Sequence, residues 1–271
     1  MDDFIQGFEE RLQEIETYLD FLEAVDEQVQ QGNPQLGANG AIITPQQQKI
    51  LYSSVYLQLY NLVESTVTRC VDSISSYVVE QSLKPNDLSS ELRQEWVRGV
   101  ARTHTDLNYE KRLESAMKLC NHLVDTLPIL DFTLEKGGGG NWDDEEIYRF
   151  SKRLGLHLNI SSNAKQAVKQ KIKNDMGTLA LIKDYRNKLA HGNLSFAECG
   201  ENTTAYDLRQ ITNRVAVYMR EVVYFFNLDL APFRKSLSGN GFKNNFKAMT
   251  GSNIGTNLKI PEKFQPKDRR E

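Results

Sequence analysis

The chain of 271 residues sets 33 Lys and Arg against 36 Asp and Glu, a formal net charge of −3, with 39% apolar and 25% charged residues. This is the balance of a globular protein able to bury a core. It argues against a coat for nucleic acid, and no apolar run approaches the roughly 20 residues of a membrane span. The three cysteines, Cys70, Cys120 and Cys199, are widely spaced and odd in number. Together with an acidic Met1-Asp2-Asp3 start that lacks the basic region of a secretory leader, they point to a reducing, cytoplasmic setting.

Residues Phe4 to Val29 read as one amphipathic helix, with Phe4, Phe8, Leu12, Ile15, Leu19 and Leu22 at steps of three and four. A Gly-, Asn- and Gln-rich loop follows from Gly32 to Ile43. Thr44-Pro45-Gln46-Gln47 then has the form of a capping box with proline in the first turn. The helix it opens runs to about Val79, with Leu51, Val55, Leu59, Leu62, Val63, Val67, Cys70 and Ile74 as its apolar face. Lys84-Pro85-Asn86 ends that run; Ser89-Ser90-Glu91 starts a shorter helix to about Ala101, and another spans Tyr109 to Leu127.

From Pro128 to Ser162 the pattern changes. Gly137 to Gly140 lead into Asn141-Trp142-Asp143, a short helix around Glu145 to Leu154, and a strand or turn element near Leu156 to Ile160. This stretch reads as a small mixed insertion. The acidic run Asp143 to Glu146 suits the first turn of a helix. Helical pattern resumes at about Ala164 and reaches His191, with a break near Asn174; Gly192 is placed to stop it in the left-handed conformation. A last helix covers Thr204 to Leu228 through Leu208, Ile211, Val215, Tyr218, Met219, Val222 and Phe225. From Lys235 onward eight Lys or Arg face three acidic residues. With little apolar content, residues 236–271 read as a flexible basic tail, either simply solvated or able to guide a polyanion. The expectation is an all-α bundle of four to five main helices in one domain over residues 1–235, carrying the insertion at about 128–162.

One segment gathers groups suited to a reaction: Asp184-Tyr185-Arg186-Asn187-Lys188-Leu189-Ala190-His191-Gly192. Leu181, Tyr185 and Leu189 fall at four-residue steps and face the core, while Asn187 and His191 stack on another face. Cleaving a phosphodiester without a metal needs a base for the ribose 2′-hydroxyl, an acid for the 5′-oxygen and positive charge on the phosphate. Histidine can serve either proton role near neutral pH. Arginine offers a permanently charged fork to phosphate oxygens, and Asn187 can orient the imidazole or bond the phosphate. One copy supplies a single histidine, and Arg186 and His191 do not share a face. A homodimer with a shared cleft would supply two of each. The remaining histidines, His104, His122 and His157, show no ligand spacing, and the glycine run lacks the order of a phosphate loop.

Arg-Asn-Lys-Leu-Ala-His resembles the Arg-Asn-x-x-x-His form of the motif that marks the HEPN superfamily. The stretch Leu57-Gln58-Leu59-Tyr60-Asn61-Leu62-Val63-Glu64-Ser65 resembles the early helix of the MAE-type branch. Gly192-Asn193-Leu194-Ser195-Phe196, with Glu198, is similar to the segment after the motif in that branch. The resemblance implies a HEPN-like helical bundle, dimerisation and metal-independent endoribonuclease activity leaving a cyclic phosphate, with no cofactor and no metal. RNA would be the substrate, and the setting a toxin–antitoxin pair with a cognate antitoxin, or antiviral defence. Arg186, Asn187 and His191 would be catalytic. Glu64 would be an auxiliary group facing the motif helix, with Tyr185 and Lys188 as further auxiliaries; Tyr185 or a neighbour is where an antitoxin would add a nucleotide. A HEPN module that binds RNA or a partner protein without cleaving is the alternative.

Overall fold

The sequence Thr44-Pro45-Gln46-Gln47 starts the longest helix as its chemistry dictates. In the computed structural model the Gln47 N–H donates to the Thr44 hydroxyl at 3.3 Å, and the Gln47 side chain accepts from the Thr44 N–H at 2.8 Å. The structure describes residues 2–37, 40–102, 105–135 and 141–229. The Phe4 side chain, His104, the glycine run 137–140 and the basic tail 236–271 lie outside the described residues.

The helix so capped, α2 (Pro45–Glu80), is the axis of the fold. It runs beside α1 (Asp2–Val29) and α9 (Ala205–Asp229), and these three pack pairwise on one another. Their facing stripes are Phe8, Leu12, Ile15, Leu19 and Leu22 from α1, Val55, Leu59, Leu62, Val63 and Val67 from α2, and Leu208, Val215, Met219 and Val222 from α9, all buried. Polar groups fix the rims. Arg209 on α9 holds Glu23 through two bonds of 2.8 and 2.9 Å, and Arg220 holds Glu9 at 2.8 and 2.7 Å. The Asp26 carboxylate accepts from the Ala205 N–H at 2.9 Å and from the Tyr52 hydroxyl, joining all three helices at one end.

The next elements are α3 (Ser90–Ala101) and α4 (Tyr109–Val124), which pack on each other, followed by α5 (Asp144–Arg153). The segment 128–162 is built into the same core as the long helices: Ile129, Phe132, Leu134, Trp142, Ile147, Phe150 and Leu154 are all buried in it. The alternation of exposed His157 and Asn159 with buried Leu158 and Ile160 is that of a strand. No strand forms there or elsewhere among the described residues, because no neighbouring backbone lies alongside to complete a ladder.

The helical pattern expected from Ala164 to His191 is divided into α6 (Ser162–Lys169) and α7 (Thr178–Ala190). The break is wider than the periodicity suggests because Asn174 and Asp175 are both left-handed, at φ 52° and 59°. A short α8 (Phe196–Cys199), absent from the sequence expectation, is closed by a capping box between Ser195 and Glu198. Both α7 and α8 lie against α2.

The fold is therefore all-α, as expected, with α2 as the common partner. Leu59 on α2 is completely buried among these helices. Replacing it with Ala should lower the unfolding free energy by about 2–5 kcal/mol in a urea titration; a loss below about 1 kcal/mol would show that this helix does not organise the core.

Candidate functional site

The motif segment occupies the last two turns of α7. Thr178, Leu179, Leu181, Ile182, Tyr185 and Leu189 bury one side of the helix, which leaves Lys183, Asn187 and His191 on the outer side and Arg186 at the border. Tyr185 belongs to the core: it is 4% exposed, and its ring meets Tyr56 edge-on at 4.8 Å between centroids. It shapes the seat of the motif helix and is closed to solvent.

The helix ends as its residues require. His191 caps it at φ −95°, and Gly192 follows in the left-handed region at φ 70°. The Gly192 N–H reaches the Leu189 carbonyl at 3.3 Å and the Asn193 N–H reaches the Lys188 carbonyl at 2.8 Å, the pair of bonds that closes a Schellman turn. His191 is thus fixed at the carbonyl end, where the helix dipole favours an imidazolium. Its side chain is exposed.

Arg186 points the other way, toward α2. Its guanidinium lies over the Tyr60 ring at 4.2 Å from the centroid. It donates to Asn187 Oδ1 at 2.8 Å and to Glu64 Oε2 at 3.3 Å. Burial pushes the Tyr60 phenol up from its ordinary range, against the Trp142 N–H and the Arg186 charge, which pull it down. The ring stays neutral and offers its face to the cation. The Glu64 pair is half-open to solvent, at 26% exposure for Arg186 and 37% for Glu64. An ion pair of that kind contributes at most about 1 kcal/mol. It orients the guanidinium without committing it, and a phosphate taking the forked contact can compete for it.

Two residues that the sequence pattern did not single out complete these surroundings. Asn141, directly after the glycine run, accepts from the Asn187 side-chain amide at 3.2 Å. Asp143 caps α5 by accepting from the Glu146 N–H at 2.9 Å and also forms an ion pair with Lys183 of α7. The acidic run is explained as a helix start that also ties segment 128–162 to the motif helix. The one signal in the sequence was the placement of polar Asn141 and Asp143 on either side of a buried Trp142, which anchors them.

Lys188 bonds Asp184 at 2.7 Å, and that contact raises the pKa of its ammonium. Two residues past Arg186, it lies nearly opposite on the helix. The structure therefore brings Glu64, Tyr60, Asn141, Asn187 and Arg186 together, leaves His191 in the open on the outer side, and separates Lys188 and Tyr185 from both. Among the described residues no group of three or more His, Cys, Asp or Glu side chains is gathered to hold a metal ion, and no helix is long and apolar enough to cross a membrane.

The model of the HEPN_MAE_28990-like HEPN family matches residues 2–227, and the chain belongs to that family. No curated protein and no solved structure matches.

Gly192 is the conformational requirement at the end of the motif. A Cβ there would meet nothing within 4 Å, so substitution tests the backbone alone. Gly192→Ala should lower the unfolding free energy by about 1 kcal/mol, and Gly192→Asn by less, since Asn tolerates the left-handed region. Equal stability of Gly192→Ala and the parent chain in thermal unfolding would contradict the left-handed stop.

Proposed function

We propose that this HEPN protein is a homodimeric endoribonuclease that cleaves RNA without a metal at a cleft shared by two chains. The observation that carries the reading is the motif's presentation. An arginine is oriented but only loosely paired, and an open histidine stands at the carbonyl end of the same helix, in a chain of the HEPN family.

Five residues separate Arg186 from His191, a rotation of about 140° around the helix, so one chain cannot turn both onto one phosphate from a single face. Twofold pairing supplies an arginine and a histidine from each chain. One imidazole takes the proton of the ribose 2′-hydroxyl as its oxygen bonds to phosphorus. The bond from phosphorus to the 5′-oxygen breaks, and the second imidazole, as imidazolium, protonates the leaving oxygen. The products are a 2′,3′-cyclic phosphate and a free 5′-hydroxyl. The Arg186 guanidinium holds the non-bridging oxygens and stabilises charge as it develops. Asn187 links Arg186 to Asn141 and sets the angle of the fork, and Glu64 and Tyr60 hold the guanidinium before RNA arrives.

In this reading residues 1–235 form the catalytic domain with 128–162 as its insertion, and the basic tail 236–271 draws RNA toward an otherwise acidic body. A cytoplasmic toxin or antiviral effector, held in check by a cognate antitoxin, is the biological role that fits such an activity. The second reading is a HEPN module that binds RNA or a protein without cleaving. It is favoured by the partners that already occupy Arg186 within one chain.

His191→Ala should reduce cleavage of single-stranded RNA in EDTA by at least about 100-fold while the fold is kept. The parent chain should leave cyclic phosphate ends. Cleavage that survives in the mutant, from a preparation free of contaminating nuclease, contradicts the assignment; binding without scission by the parent chain favours the module.

A further inference from the structure

Helix α4 lies on the protein as a helix with one neighbour. It packs against α3, with His122 edge-on to Trp96 at 5.4 Å and Leu119 partly buried, but none of its residues is fully buried. Beside that inner edge runs a second apolar stripe facing solvent: Leu113, Met117, Cys120 and Val124, with Leu123 and Tyr109 along one border. Leu113 and Met117 are each 51% exposed, Leu123 54%, Tyr109 79% and Val124 80%. An amphipathic surface helix turns such a stripe inward, and here it is left outside.

The spacing within the stripe says what covers it. Steps of four, three and four between Leu113, Met117, Cys120 and Val124 follow the 3.5-residue repeat of a two-helix seam, and no charged residue interrupts it. The order is self-complementary when reversed. Two copies crossing antiparallel set Leu113 of one against Val124 of the other and Met117 against Cys120, so each layer joins a longer side chain to a smaller one. The same crossing sets Ala116 of one copy near Leu123 of the other on one border, and the Glu114 carboxylate near the Asn121 amide on the other. A parallel crossing would instead oppose Glu110 to Glu110 and Glu114 to Glu114.

We propose that α4 is a self-association surface, on which two copies of this chain pair antiparallel through Leu113, Met117, Cys120 and Val124. This goes beyond the cleavage reading and uses none of its residues. It assigns a contact between subunits to a helix at the edge of the fold, on the side occupied by α3.

The test needs no RNA. The full chain is examined by sedimentation velocity through the micromolar range beside the variant Leu113→Glu/Val124→Glu, whose substituted positions are exposed in one chain. The native chain should sediment as a dimer. The variant should show association weakened by at least about 100-fold, since the seam would bury four carboxylates, with unchanged circular dichroism and melting temperature. Of the three cysteines only Cys120 is exposed. A short bismaleimide should therefore join two native chains, and Cys120→Ser should abolish the product. A native chain that is monomeric throughout, or a variant that dimerises as well as the parent, overturns the proposal. Neither result bears on whether His191 cleaves RNA, which the mutant assay decides separately.

Discussion

The packing of α7 on α2 is the constraint on which the candidate site depends. One stripe of α2 is filled by α1 and α9, and α7 lies on another part of its surface. Tyr185 stands edge-on to Tyr56 and so fixes the rotation of α7 about its own axis. With that rotation set, Arg186 falls over Tyr60 and beside Glu64, one turn along α2 from Tyr60, while His191 faces outward. Hydrophobic burial thus decides where the charges go; a half-exposed ion pair is too weak to do so.

Most of the helices were legible because their signals are local. Thr44, Ser89, Asp143 and Ser161 cap the helices they precede, and the steps of three and four in α1, α2 and α9 match their buried faces. What the sequence concealed depends on distant partners. Leu156 to Ile160 alternates like a strand, but only a neighbouring backbone could make it one. The gap between α6 and α7 rests on two left-handed residues in succession, and single-residue preferences give little warning of that. The capping box at Ser195 and Glu198 was present in the sequence, but the four-residue helix it closes is too short for periodicity to reveal.

The site divides in the same way. Arg186, Asn187 and His191 stood out because the reactive residue types fall close together, and Glu64 entered through family resemblance. Its contact with Arg186 spans 122 positions in the chain, which spacing alone could not reveal. Tyr60 reads as another apolar position of α2, although its ring is what the guanidinium rests on. Asn141 sits beyond a run of glycines that looks like a connector, and only the burial of Trp142 carries it to Asn187. Tyr185 shows the reverse error. Its neighbours in the motif drew attention to its hydroxyl, yet its place on the apolar stripe made it core.

A single chain holds an oriented arginine and a solvent-facing histidine about 140° apart on one helix, and the functional account rests on a second chain making up the difference. Titrating His191→Ala protein into the native enzyme, with time for subunit exchange, measures that dependence directly. If both imidazoles serve one cleft, mixed dimers are inactive, and at equal amounts the cleavage per native chain falls to about half. Cleavage per native chain that stays constant as the mutant is added would show that each chain works alone and would contradict the shared cleft.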